Sequence, residues 1–192
     1  MAKEKDREPN YWVLVLANKN QPNKLHNAQV IFDAQLRRRV WGLREGSKNF
    51  KRMVKGDVVL LYIGRPYCAF AGFAFVGAGA RPLTKKEQND LMDKKYRRKP
   101  KAGIKLSHAK RFNVQVPVPL LVPELRHIKN KKNWGMYFQG ASNKINRETF
   151  EVVLSVACML NPSLLKTLKP KVKSKLRLPV IPIGEFRTSQ PH

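Results

Sequence analysis

The sequence predicts a mixed α/β domain built on a small curled or barrel-like β-sheet flanked by helices. Three observations predict it. The runs YWVLVLA (11–17), VVLLYIG (58–64) and CAFAGFAFVGAG (68–79) are of strand length and almost continuously apolar, as suits strands covered on both faces. The last two are joined by the short Arg65-Pro66-Tyr67 connection, and successive strands linked in this way favour a sheet that curls. Residues 147–160 instead carry Phe150, Val153, Leu154, Ala157 and Cys158 at helical spacing, which predicts one helix packed on the core.

In chain order, residues 1–9 are charged and are expected to be a disordered, basic N-terminus. Trp12 lies inside the first strand and reads as a core aromatic. Residues 18–28 (NKNQPNKLHNA) are rich in Asn and contain Pro22, which marks a loop. A short helix is expected over 29–39, with Val30 or Ile31, Ala34 and Leu36 turned inward and Arg37, Arg38 and Arg39 displayed. Trp41-Gly42 ends it. Ser47 is a candidate N-cap for a helical turn over 48–54, with Phe50 inward and Lys48, Lys51, Arg52 and Lys55 outward. Lys55-Gly56-Asp57 then turns the chain into the second strand. In the third, Ala69, Ala71, Gly72, Gly77 and Gly79 leave room for another backbone or a ligand.

Residues 81–111 interrupt the apolar pattern with twelve Lys and Arg against three acids. Thr84 and Glu87 are spaced for a capping box and predict a helix over about 85–96. The remainder reads as a basic arm or loop that follows phosphates. FNVQVPVPLLVP (112–123) predicts a strand ending at a sheet edge, since Pro117 and Pro119 cannot donate to a ladder. WGMYFQG (134–140) reads as a last strand, and Asn146 as the cap of the final helix. Residues 161–192 are rich in Pro and Lys and are expected to be a linker or C-terminal extension, with the base domain confined to 10–160.

Charge narrows the partners. The chain has 192 residues, with 39 Lys and Arg against 13 Asp and Glu, a formal charge of +26. Such self-repulsion calls for a polyanion, with nucleic acid ahead of an anionic membrane surface. No apolar run approaches the roughly 18 to 20 residues of a spanning helix, so a cytoplasmic protein is expected. Cys68 and Cys158 sit in apolar runs as free thiols, and the four histidines share no ligand spacing, so neither a metal nor another cofactor is expected. Nucleophile elbows and phosphate-cradling glycine loops are absent, and the acids are too scattered for a general acid/base pair. A binding module is expected rather than an enzyme.

The segments YWVLVLANKN, VWGLREGSKNFKRMVKGDVVLLYIG, FAGFAFVGAG and IKNKKNWGMYFQGASNKINRETFEVV, in that order and spacing, resemble the EVE domain of the PUA-like group, a relative of the YTH readers of N6-methyladenine. The resemblance covers roughly residues 10–160 and implies a curled β-sheet barrel with a pocket for one modified base. It places Val40-Trp41 at the first wall of the YTH-type aromatic cage. The second cage Trp has no counterpart, and Tyr96 is the sole aromatic in 81–111.

From these residues the expected base pocket comprises Trp41, Gly42 and Tyr96, with Asn18 and Asn20 facing the base edge. The expected phosphate contacts are Arg39, Lys48, Lys51, Arg52, Lys85, Lys86, Arg97 and Arg98. The resemblance implies methylated duplex DNA as partner, N6-methyladenine first and 5-methylcytosine second, flipped into the pocket. It further implies the targeting domain of a McrBC-type restriction system, with an AAA+ GTPase motor in the same parent chain and a nuclease subunit beside it. The alternative is a PUA-like module that reads a modified or single-stranded base in RNA.

Overall fold

In the computed structural model, six strands form one sheet in the order β2-β5-β4-β3-β1-β6. The structure describes residues 7–16, 25–43, 47, 49–91 and 100–167. The strands are β1 (Tyr11–Leu16), β2 (Val40–Leu43), β3 (Val58–Ile63), β4 (Ala69–Pro82), β5 (Ala102–Pro117) and β6 (Ser142–Ile145). The helices are α1 (Leu25–Arg38), α2 (Lys85–Asp90), α3 (Val118–Leu121), α4 (Arg147–Leu160) and α5 (Pro162–Thr167), with 3₁₀ turns at Phe50–Arg52 and Trp134–Phe138.

The apolar runs form strands because both faces of the sheet are covered. Along β1 and β3 the side chains alternate between two cores. Tyr11, Val13, Val15, Val58, Leu60 and Tyr62 join α4 through Phe150, Val153 and Leu154. Trp12, Leu14, Val59, Leu61 and Ile63 join Phe32 of α1 on the other face. β1 and β3 run parallel, and α1 and β2 lie in the connection between them. Four register shifts between β4 and β5 sharpen the curl. At one of them a Cβ on Gly72 would stand 2.3 Å from the Lys110 carbonyl oxygen, so this glycine serves the approach of β5 rather than a ligand.

Several expectations need correction. Residues 81–111 do not form one basic arm: Arg81-Pro82 end β4, Lys85–Asp90 form α2 behind the expected Thr84/Glu87 capping box, and β5 begins at Ala102. In β5, Lys105 is exposed between buried Ile104 and Leu106, and Arg111 is exposed beside buried Phe112, so these two are the outward members of a strand alternation. The segment expected as a last strand, WGMYFQG, is a 3₁₀ turn, and the sixth strand is Ser142–Ile145. Helix α1 starts at Leu25 and buries Ala28, Phe32 and Gln35, while Val30 is 48% exposed. Ser47 caps no helix; Asn49, in the left-handed region at φ 67°, precedes the Phe50–Arg52 turn.

The α4 stripe and its cap are as expected: Asn146 accepts from Thr149 N at 2.9 Å. Beyond Leu160 the chain continues into α5, whose Leu164 is buried against the first core. Asn161 completes the edge of β5 by accepting from Val114 N (2.7 Å) and donating to Val114 O (2.9 Å), as a neighbouring strand would.

Asp57, the third residue of the Lys-Gly-Asp turn, is fully buried. Its carboxylate accepts from the Arg7 guanidinium (2.5 Å), the Asn10 (3.1 Å) and Val54 (3.2 Å) backbone N–H groups and the Trp12 indole N–H (3.0 Å). Burial pushes its pKa up, but the bonds from Arg7, Trp12, Asn10 and Val54 outweigh burial and hold it below the ordinary 3.8. Its stabilisation is therefore complete above about pH 4 and is lost as pH falls through the lowered value. Asp57→Ala strands these donors and is expected to cost about 3 to 5 kcal/mol at pH 7. In urea titrations the gap to wild type should narrow on acidification below about pH 4; a gap that widens there would contradict this assignment.

Candidate nucleic-acid interface

The phosphate-binding candidates that the structure describes are exposed. Arg39 ends α1 in the left-handed region at φ 52°, Lys51 and Arg52 sit on the 3₁₀ turn before the Lys-Gly-Asp corner, and Lys85 and Lys86 open α2. Lys48, Arg97 and Arg98 lie outside the described residues. The turn 50–52 is held against β6 by Asn49, whose Nδ2 donates to Ser142 O at 3.3 Å. Arg52 and Lys144, from turn and strand respectively, lie 6.0 and 5.9 Å from the Trp12 ring centroid. Cation–π attraction to a core aromatic thus places two cations at one rim of the sheet. Lys144 was missed in the sequence; its signal is a lone charge in SNKI, a strand too short to recognise by alternation.

The pairs Arg7–Asp57, Arg38–Asp90, Arg81–Glu87, Arg111–Asp33, Arg126–Glu148 and Arg147–Glu151 each join an acid to an arginine. The Arg81 hydrogen bonds, with further help from the Thr84 backbone, bring the Glu87 carboxyl down to about 2.

The expected base pocket is not presented as foreseen. Trp41 is only 2% exposed and belongs to the second core, its ring edge-on to Phe32 with centroids 6.3 Å apart. It pairs with Ile104 across the β2·β5 ladder, and that packing decides its environment. A Cβ on Gly42 would meet Pro100 Cγ at 2.9 Å, so Gly42 makes room for Pro100. Asn18, Asn20 and Tyr96 lie outside the described residues.

A cleft of about 570 Å³ opens elsewhere, at the C-terminal ends of β1 and β3. Its buried apolar side chains are Val15, Tyr62 and Phe138, residues of the first core, so it lies across the sheet from Trp41. Tyr62 and Phe138 stack at 4.9 Å, and Trp134 meets Phe138 near edge-on at 6.0 Å. Burial, followed by the neighbouring Cys68 thiol, raises the Tyr62 pKa, so the phenol stays neutral. Arg65 and Lys132 supply exposed cations to the lining.

The loop forming the other wall is tightly tied. Lys131 Nζ donates to the carbonyls of Val122 (2.7 Å), Leu125 (3.0 Å) and Pro123 (3.2 Å) at the end of α3. The Tyr137 hydroxyl accepts from Lys129 N (3.0 Å) and Asn130 N (3.2 Å). Burial, and secondarily the Lys131 charge, lowers the His127 pKa, and the neutral ring pairs with Thr149 Oγ1 at 2.8 Å. Among the described residues no three His, Cys, Asp or Glu side chains gather as a metal site, and no helix is long and apolar enough to cross a membrane.

The family model of the EVE domain matches residues 10–156. No curated protein matches the chain significantly. Among solved structures, human THYN1 in complex with 5-methylcytosine-containing DNA is similar at a TM-score of 0.50 and 17% identity, with 77% of this chain and 97% of that one covered. A hypothetical protein from Leishmania major is similar at a TM-score of 0.47 and 18% identity, covering 78% of this chain and 94% of its own. Protein Atu2648 from Agrobacterium tumefaciens gives 0.49 and 15%, covering 80% and 96%. The curled six-stranded sheet with its helices is the PUA-like architecture that the resemblance implied.

With Trp41 in the core, Trp41→Ala is expected to cost about 3 to 5 kcal/mol of stability. Urea unfolding measures it directly, and a loss below about 1 kcal/mol would show that the ring is not a packing element.

Proposed function

The chain belongs to the EVE domain family, and on that premise we propose that it binds nucleic acid, DNA ahead of RNA, and recognises a modified base within it. One observation carries the electrostatic half of this reading. In a chain of formal charge +26, Lys51, Arg52, Lys85, Lys86 and Lys144 are exposed, where a polyanion can reach them. The base-reading half is supported by the family and by human THYN1, a similar fold in complex with 5-methylcytosine-containing DNA.

The pocket belongs beside Trp41, with Asn18, Asn20 and Tyr96 as its further residues. Because Trp41 is buried, that pocket has to open before a base enters it, and flipping a base from a duplex costs a few kcal/mol more. Stacking at about 1 to 3 kcal/mol per base, added to phosphate contacts, is of the size needed to offset this. The finer reading, a preference for N6-methyladenine within a McrBC-type system, rests on the resemblance of the sequence. Its partners would be a GTPase motor and a nuclease subunit.

Fluorescence anisotropy with duplexes carrying N6-methyladenine, 5-methylcytosine or neither, and with RNA of the same sequence, tests the reading. A modified duplex should bind most tightly. Lys51→Ala should lower the slope of log affinity against log salt by about 1, whatever the base. Equal affinity for all three duplexes would remove the base-reading half. An unchanged salt slope would remove Lys51 as a phosphate contact.

A further inference from the structure

We infer that the cleft between the Arg65–Cys68 turn and the 132–140 loop is a second nucleotide site, holding an unpaired nucleotide of a bound strand. Its ring lies against Trp134, and its phosphate lies between Arg65 and Lys132. This rests on the nucleic-acid reading above but not on the pocket beside Trp41, from which the sheet separates it.

The chemistry of the walls selects the ligand. The lining combines Trp134, packed on the stacked Tyr62 and Phe138, with two exposed cations, and among the described residues it contains no Asp or Glu. An aromatic ring next to positive charge suits a flat heterocycle bearing an anion, which describes a nucleotide. The volume of about 570 Å³ falls within the usual range of ligand pockets and exceeds what one side chain would fill. Met136, 64% exposed, adds polarisable apolar surface at the same wall.

The site is also built in advance. Lys131 is spent on three carbonyls and Tyr137 on two backbone N–H groups, so the loop carrying Lys132 and Trp134 is already ordered. Asn143 Nδ2 bonds Gln139 O at 3.0 Å, and Val15 N bonds Ala141 O at 2.9 Å, which fixes the far end of that loop to the sheet. Binding therefore forfeits little ordering entropy. Gly135 points the same way. It has no positive φ, and a Cβ there would meet nothing within 4 Å, so neither backbone nor packing requires a glycine at this lining position. A side chain there would project into the open space of the cleft, where a ligand would lie.

The test uses the full chain and labelled single strands of about ten nucleotides, oligothymidylate for DNA and oligouridylate for RNA. Trp134→Ala should weaken binding of at least one strand roughly five- to a hundredfold. Lys132→Ala should lower its salt slope by about 1, and Gly135→Leu, which fills open space, should weaken it with an unchanged melting temperature. A strand carrying 5-iodouracil should photocrosslink to Trp134. Unchanged affinity in both arms for Trp134→Ala and Gly135→Leu would overturn the inference. If, in that case, Lys51→Ala still lowers the salt slope for duplex DNA, the nucleic-acid reading survives the loss of the cleft. Wild-type protein that binds neither strand nor duplex would end both.

Discussion

A single buried carboxylate holds the sheet in register. Asp57 gathers donors from the N-terminal segment (Arg7, Asn10), from β1 (Trp12) and from the residue that opens its own turn (Val54). The parallel β1·β3 ladder begins at the next residue, where Val58 pairs with Tyr11 and its N–H bonds Asn10 O at 2.9 Å. Parallel strands lack a tight turn to set their register, so a shared anchor at the start of both is an economical way to set it. A carboxylate could not be buried there without these donors, since desolvation alone would neutralise it.

That anchor also arranges the surface. It orients the Trp12 indole, whose ring in turn draws Arg52 and Lys144 to the rim, while Lys51 rides on the same 3₁₀ turn. The sheet then divides the molecule into two aromatic layers, one around Phe32 and Trp41 beneath α1 and one around Tyr62 and Phe138 beneath α4. In the first, Phe32 and Trp41 are buried. The second is open at one end, where the Lys131-tied loop stands away from the strands and leaves the cleft. A nucleic-acid strand would thus meet fixed charge first and aromatic surface second, the order in which long-range steering and short-range stacking act.

Much of this was legible in the sequence wherever local pattern and tertiary environment agree. The strands over 11–17, 58–64 and 68–79, the Thr84/Glu87 box and the α4 stripe all carry their own periodicity. The N-terminal half of β5 was misread because net charge masked its alternation: Ile104 and Leu106 are buried while Lys105 between them is exposed. WGMYFQG has strand composition, but bonds within 122–137, from the Lys129 and Asn130 N–H groups to the Tyr137 hydroxyl and from Lys131 to Val122 O, hold that region in a turn. The resemblance places Trp41 at a pocket wall, and its cross-strand partner Ile104, some sixty residues away, is what buries it, a contact that no local pattern shows. Nor does a turn signal such as Lys-Gly-Asp disclose that its acid is buried; a lone Asp before six consecutive buried residues was the available hint. Arg65, Lys132 and Trp134 are brought together by chain closure alone, which no spacing announces.

The central claim is that this EVE domain presents one continuous nucleic-acid surface, from the Arg52/Lys144 rim to the cleft mouth. Amide chemical-shift mapping during titration with a duplex containing one modified base tests it most directly. The account predicts shifts concentrated at Lys51–Arg52, at Lys144, along 132–140 and around Trp41 in β2, with the outer face of α4 unaffected. Shifts confined to the α4–α5 face, or none at saturating duplex, would contradict it.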